Sequence, residues 1–405
     1  RQSQPSQAGF SLLGNTVPAP VDPRINLNNQ PWAQPVVLDG QTASLRLRQR
    51  INDDWRFTAH GMVQRLQMDD RMAFPFGCYD AGTDTYYADR FCPDGRFDYY
   101  DFRSENERRR SDALDLNFEG AFSTGAVRHT LSAGVLLGRF KARFQNQTYA
   151  SALDSNGDPA QGNVGGNVIT RPNPAPNDAS TNRDERSTEI YLRDRVQLAE
   201  QLNAWVGLRH TQLRRQSVRT DFDPTDLRPT NVSPSFTTPW LALSYEATPR
   251  HTLYVSWGEG VESQVAPNRR RYANAGEALA AKSRQYELGI KADTDTLDWQ
   301  LTWFDITRPL SRAVGANCDD DSTPGSCMQV IDGEAQHRGL EANATWRIQA
   351  WTLGASAMWL DAKQRGTSDP TLNGRRPPNV PEQALKLQAA YDVAALPGLQ
   401  LRAGL

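Results

Sequence analysis

Long apolar runs are the first thing this sequence lacks. The best stretch, Leu131 to Gly138, falls far short of the roughly 18 apolar residues a membrane-spanning helix needs, which excludes a helical membrane protein. A surplus of charge of one sign is missing too. Lys+Arg number 45 against 47 Asp+Glu, a net charge of -2, without the basic footprint of a nucleic-acid partner. Lysine itself is scarce, with only Lys141, Lys282, Lys291, Lys363 and Lys386, so the cations are almost all arginine, a genomic bias and not a mechanism. The four cysteines form no CxxC and the five histidines no cluster, which removes a zinc site. Nucleophile elbow, P-loop and dinucleotide fingerprint are all absent. An initiator Met and a signal peptide are absent as well, so the chain is expected to begin partway through a gene product.

What is present is a period of two. Leu131, Ala133, Val135 and Leu137 alternate with Thr130, Ser132, Gly134 and Gly138. Leu202, Ala204, Val206 and Leu208 alternate in the same way with Asn203, Trp205, Gly207 and Arg209, as do Leu340, Ala342, Ala344 and Trp346 with Glu341, Asn343, Thr345 and Arg347. These are strands with one apolar and one polar face. A sandwich would give the same pattern, so the connectors decide. Tight ones (Asn52–Asp54, Ser123–Ala126, Ala199–Gln201, Ala247–Arg250, Asp293–Asp295, Gln349) alternate strictly with long ones. The long ones are Asp69–Arg110, Asn146–Asp184, Asp221–Ser235, Glu262–Lys282, Leu310–Ser326 and Gly366–Pro381. One end of a meander carrying only hairpin turns, and the other every large loop, is the arrangement of an outer-membrane barrel. A sandwich puts long connections at both ends.

The fold class expected is therefore all-β: a transmembrane antiparallel up-and-down β-barrel of about fourteen strands. Residues 42–405 form the wall, and residues 1–41 a long extracellular loop and incoming strand. Trp351 and Trp359, eight residues apart on one apolar face, suit two aromatic girdles. Arg46, Arg48, Arg56, Asp115, Glu119, Arg209, Glu287, Glu341 and Arg347 lie on the polar face, too many charges for a dry core but not for a wet lumen. Asp194 fits poorly, sharing the outward face with Ile190, Leu192, Val196 and Leu198. The cysteines fall in two close pairs in polar loops, which points to disulfides Cys78–Cys92 and Cys318–Cys327 and an oxidising compartment.

Seven short segments, in order, resemble TonB-dependent siderophore receptors. Tyr191-Leu192-Arg193-Asp194 is similar to a "Y-x-x-D" strand, and Gly207-Leu208-Arg209 to its "G-x-R" return. Leu253-Tyr254-Val255-Ser256 and Gln285-Tyr286-Glu287-Leu288-Gly289-Ile290-Lys291 follow, then Phe304-Asp305-Ile306-Thr307-Arg308, Arg338-Gly339-Leu340-Glu341 and Asn379-Val380-Pro381. The resemblance implies a 22-stranded barrel of the outer membrane of a Gram-negative bacterium, of which this chain would be an internal piece. It also implies a plug domain, absent from these residues, and import of a ferric siderophore energised by the TonB–ExbB–ExbD complex through an N-terminal region. The wall would contact outer-membrane lipid. A monomer is expected, with no nucleic acid, no cofactor and no catalytic group. Importers of cobalamin or an oligosaccharide are the alternatives within this class; a diffusion porin or an outer-membrane protease or lipase lies outside it.

Such a receptor offers an aromatic, hydrogen-bonding cup and not metal ligands. The richest candidates lie between Asp69 and Arg110: Phe74, Phe76, Tyr79, Tyr86, Tyr87, Tyr99 and Tyr100, on a loop a Cys78–Cys92 bridge would stiffen. Phe10, in Gly9-Phe10-Ser11-Leu12-Leu13-Gly14-Asn15-Thr16, occupies an aromatic position of a segment resembling the family's hydroxamate pocket, although Ala8 and Leu13 replace its Tyr and Pro. The Asp69–Arg110 stretch holds ten acidic residues and seven arginines, no basic funnel for a strongly anionic catecholate chelate, and a near-neutral hydroxamate chelate suits it better. Asp154-Ser155-Asn156-Gly157-Asp158 looks like the start of a calcium loop but continues with Pro159 and lacks the twelfth-position Glu.

Overall fold

The computed structural model describes residues 2–4, 12–14, 16, 25–88, 90–166, 168–173, 176–220, 228–316, 318 and 321–405. Among them, fourteen wall strands follow one another: β1 (Gln34–Arg50), β2 (Trp55–Asp80), β3 (Arg96–Thr124), β4 (Val127–Arg143), β5 (Thr181–Ala199), β6 (Leu202–Arg219) and β7 (Ser235–Thr248). The series continues with β8 (His251–Val265), β9 (Ala278–Asp293), β10 (Leu297–Gly315), β11 (Cys327–Ile348), β12 (Trp351–Arg365), β13 (Gln383–Asp392) and β14 (Gln400–Gly404). Each pairs antiparallel with the next, a meander without crossovers. Short strands in the long connections extend the sheet at one end.

The two faces divide as their periodicity requires. Leu192, Leu208, Leu253, Leu288, Leu301, Leu340 and Leu385 are each 42% exposed or more, on a face with nothing folded against it. A protein in water would bury this much apolar surface; a bilayer covers it. Trp359 is 62% and Trp351 45% exposed, at opposite ends of the β12 apolar face, and Trp351 lies against Tyr391 with ring centroids 4.6 Å apart.

The inner face is a hydrogen-bonded polar surface. Tyr191 Oη donates to Asp115 at 2.8 Å and accepts from Asn117 Nδ2, which also reaches Ser132. Arg209 pairs with Glu189, and Arg56 with Glu119. The Tyr191 ring lies flat over its register partner Gly134, where a Cβ would come within 2.4 Å of the ring and its hydroxyl. Tyr254 repeats the arrangement over Gly289. A glycine facing an aromatic across two strands lets the ring cover open backbone.

The register also links two of the short sequence motifs. Phe304 pairs with Gly339 and Asp305 with Arg338. The missing Cβ at Gly339 makes room for the Phe304 ring, which packs with Leu360 and Ala362, while Arg338 donates to Asp305 at 2.7 Å on the other face.

Two expectations change. Most of Asp69–Arg110 is strand, because β2 and β3 run on together past the wall as one long twisted hairpin. Asp194, unexplained by alternation, has a diagonal partner: His129 Nδ1 lies 2.7 Å from its Oδ2, and Phe122 stacks on the imidazole at 4.8 Å. The pair sits near the turn end of β4 and β5, where an apolar face meets the headgroup region.

Two measurements follow, both by urea titration of the barrel folded in vesicles. Leu301→Arg on the outer face should cost about 2–4 kcal/mol, while Asn343→Arg on the inner face should cost less than about 1 kcal/mol. His129→Ala should cost about 3 kcal/mol by stranding the Asp194 carboxylate, and the His129→Leu/Asp194→Leu double variant should recover most of it.

Candidate functional site

The β2–β3 hairpin owes its reach to continued alternation and to one local irregularity. Register passes from Met68↔Glu107 to Asp70↔Ser104, and Asn106 bulges out with φ of 56°. Its N–H donates to Asp69 Oδ1 at 2.7 Å, so the bulge leaves no orphan donor. At the far end Thr85–Ala88 folds back onto β2, and Cys78 is bonded to Cys92 with Cα atoms 5.1 Å apart. A second disulfide joins Cys318 to Cys327, the first residue of β11.

Adjacent residues of a strand point to opposite faces, and here they do different work. On one face Phe91, Phe97 and Tyr99 are buried with Ala152 and Ala160 as a loop core, against which Leu27 and Trp32 pack. Tyr99 Oη donates to the Leu27 carbonyl at 2.9 Å. Asp101, fully buried, accepts from Arg103 and from the Asn173 N–H, and burial raises its carboxyl above the ordinary aspartate range despite the guanidinium beside it.

On the other face Phe74, Phe76, Tyr86, Tyr100 and Tyr149 form a half-exposed aromatic cluster. Phe76 stacks on Tyr100 at 4.1 Å between centroids and on Tyr86 at 5.6 Å. Tyr149 closes the side, 6.0 Å from Phe74 and 5.7 Å from both Phe76 and Tyr100. Tyr86 and Tyr149 are each 40% exposed, which leaves rings for a ligand to cover. Burial, then the nearby Asp98 carboxylate, push the Tyr86 phenol far above its usual pKa, so it stays a neutral hydroxyl.

Of the eight aromatics singled out in the sequence, the structure thus gathers Phe74, Phe76, Tyr86 and Tyr100. Tyr79 stands apart at 52% exposure, donating to Asp84. Tyr87 lies under the Arg90 guanidinium, and Tyr99 belongs to the buried core on the reverse face. Phe10 lies outside the described residues. Tyr149 was not foreseen. It arrives from the β4–β5 connection, where Thr148–Ser151 pairs with β3 and sets Tyr149 opposite Phe102.

Charges near the cluster are already partnered. Arg71 meets Glu105, Arg103 meets Asp101, Arg109 meets Glu107 and Arg96 meets Asp94. The Asp154 carboxylate is engaged by the N–H groups of Asn156 and Asp158, and no group of three or more metal-ligating side chains occurs among the described residues.

A cavity of about 1080 Å³ lies inside the wall between β1 and β8, lined by Arg46, Arg48, Arg56, Asp115, Glu119 and Arg209 among others. Six of the nine charges assigned to the lumen meet there.

Residues 1–404 match the family model described as TonB dependent receptor-like, beta-barrel. The ferrichrome receptor FcuA of Yersinia enterocolitica is 29% identical over 163 residues, 40% of this chain and 20% of that protein. Among solved structures, the ferric preacinetobactin receptor BauA of Acinetobacter baumannii superposes with a TM-score of 0.75 at 22% identity, over 96% of this chain and 54% of its own. The ferric-catecholate import receptor Fiu of E. coli K12 gives 0.69 at 16%, over 98% and 57%. These likenesses establish the fold, and the chain spans about half the length of the solved receptors it matches.

The Cys78–Cys92 bridge closes a loop of about fifteen residues, worth about 3 kcal/mol in the chain-entropy account. The Cys78→Ser/Cys92→Ser variant should show roughly 10²-fold faster amide exchange in the hairpin tip, with exchange in β8–β12 unchanged, by hydrogen–deuterium exchange mass spectrometry.

Proposed function

Because the chain belongs to the TonB-dependent receptor family, outer-membrane β-barrels of Gram-negative bacteria that act as receptors and transporters and not as enzymes, we propose that it supplies the barrel wall and extracellular cup of a ferric-siderophore importer. The whole receptor would capture the chelate outside and release it through the lumen, with energy from TonB–ExbB–ExbD reaching a plug encoded outside these residues. It would work as a monomer in outer-membrane lipid.

One observation carries this reading: the half-exposed cluster of Phe74, Phe76, Tyr86, Tyr100 and Tyr149 on the hairpin beyond the wall. A siderophore presents a bulky, partly apolar envelope around an iron whose coordination is already filled. Aromatic faces and neutral phenol hydroxyls bind such an envelope without competing for the metal. The arginines beside the cluster are neutralised by their own carboxylates. That favours a near-neutral hydroxamate chelate over a multiply charged catecholate, in keeping with the Yersinia relative's being a ferrichrome receptor.

The test is equilibrium binding of radiolabelled ferrichrome to cells carrying the whole receptor, beside a ferric tris-catecholate and ferric citrate. Saturable ferrichrome binding is expected, weakened roughly 30–100-fold by Phe76→Ala/Tyr100→Ala and unchanged by Tyr79→Ala. Saturation only by cobalamin or an oligosaccharide would move the reading elsewhere in the family. Free ion conductance in a planar bilayer with no saturable ligand would make it a porin.

A further inference from the structure

Two prolines frame one hairpin of the rim. The β7–β8 ladder ends at Trp240↔Gly258, although β7 runs on to Ser235 beside β6 and β8 runs on to Val265 beside β9. On the other flank the β9–β10 ladder ends at Arg284↔Thr307, although β10 stays paired with β11 as far as Gly315. Among the described residues, the stretches 260–265 and 278–283 therefore pair only with each other.

Each ladder stops where a proline has no N–H to give. In an antiparallel strand, successive residues turn their backbone groups to alternate neighbours. Glu246 donates to Gln201 on the β6 side, so the odd-numbered residues of β7, Pro239 among them, face β8. Thr296 accepts from Arg347 on the β11 side, so the odd-numbered residues of β10, Pro309 among them, face β9. Both prolines keep their register with the strand away from the hairpin, at Leu208 and Glu334, and drop the bond toward it. Gly258 and Gly260 sit where β8 parts from β7, small residues of the kind that absorb a hinge motion.

The β7–β8 gap is open and reaches the lumen. A cleft of about 410 Å³ is lined there by Thr237 of β7 and by Val261 and Val265 of β8. Phe236, Val261 and Ser263 border both this cleft and the lumen cavity of about 1080 Å³.

Side chains hold the hairpin across that gap. Arg215 of β6 donates to the carbonyl and the hydroxyl of Ser263, each at 3.3 Å. Arg219 of β6 donates to the Asn268 carbonyl at 2.8 Å, and Arg269 grips Asp178 of the β4–β5 connection through bonds of 3.0 and 3.1 Å. On the β10 side the hold is backbone instead. Ala273 N–H donates to the Cys327 carbonyl at 2.8 Å, Cys327 N–H to the Arg271 carbonyl at 2.9 Å, and Gly325 N–H to the Arg270 carbonyl at 3.0 Å.

We infer that residues 259–283 form a hinged side gate of the lumen, which swings with the β10–β11 connection to widen the β7–β8 gap and is latched by Arg215, Arg219 and Arg269. The prolines make the seam, because a ladder running the full height would fix the hairpin to β7. The arginines close it, because ion pairs and side-chain bonds at a hydrated rim form and break far more readily than a continuous ladder. The structure shows the latched state. Neither ligand nor energy source enters the argument, so the gate stands apart from the import reading.

The test uses the whole receptor in detergent, without ligand. Spin labels at Ser235→Cys and Gln264→Cys straddle the seam, and pulsed electron double resonance reads the distances between them. The parent should show one main distance and a minor longer one. Arg215→Gln/Arg269→Gln should raise the longer share about threefold or more, with Glu185 keeping Arg183 at 3.0 Å as its partner. Pro239→Thr, which restores the missing N–H, should lower that share by as much. By hydrogen–deuterium exchange, residues 259–265 of the parent should exchange roughly tenfold faster than residues 251–257 of the same strand, and Pro239→Thr should remove most of the difference. Arg250→Gln, which breaks an ion pair with Asp295 at the turn end, should leave both readouts at parent values. Heat-modifiable migration in gels checks folding, and Pro239→Thr alone decides if the arginine variant fails it. A single distance common to all the chains would overturn the gate, as would uniform exchange along β8 or a Pro239→Thr variant that matches the parent in both readouts.

Discussion

Everything in this molecule follows from the need to satisfy backbone N–H and C=O groups where no water is present. Strands crossing hydrocarbon must give those groups to neighbouring strands, and the fourteen-strand meander does this from β1 to β14. Once the backbone is committed, side chains have two directions left. One carries the leucines and girdle tryptophans, the other the tyrosine–asparagine–aspartate networks and paired charges of the lumen. A period of two is thus both the cause of the wall and the reason one chain presents two solvents with different surfaces.

This is also why the wall could be read from the sequence. Alternation is local, so Leu202–Leu208 and Leu340–Trp346 announce their faces without knowledge of their neighbours. The tight turns between strands are equally local, with Gly125 (φ of 62°) supplying the left-handed residue between β3 and β4. The motifs carry more than identity. Phe304-Asp305 and Arg338-Gly339 are halves of one cross-strand fitting, a ring over a glycine on one face and an ion pair on the other. Neither half explains itself alone.

What was illegible depended on diagonals and on distant chain segments. Asp194 looked misplaced because its partner His129 lies on another strand, one diagonal step away, and alternation has no vocabulary for a diagonal. Tyr149 joins the aromatic cluster only because Thr148–Ser151 leaves its connector to pair with β3. The aromatic stretch between Phe74 and Tyr100 was visible as composition, but its division into a buried and a half-exposed face turns on the Asn106 bulge and on register, both properties of the folded hairpin. Tyr99 and Tyr100 are neighbours in sequence and look alike, yet one anchors a loop core and the other joins the half-exposed aromatic cluster.

Charge follows the same zoning, and its meaning depends on where a residue sits relative to the apolar band. Within the hairpin, Arg71, Arg96, Arg103 and Arg109 each meet a carboxylate, on the same strand segment or across from it. Within the lumen, opposite charges meet across strands in a hydrated space where pairing costs little. On the outer face a charge borders hydrocarbon or headgroups, so an ion partner there does more than in the hydrated lumen. Lys282, Arg338 and Lys363 each have a carboxylate. Charge is thus sorted by solvent: spread along the hydrated lumen, and on the outer face set with its partners at the margin of the apolar band.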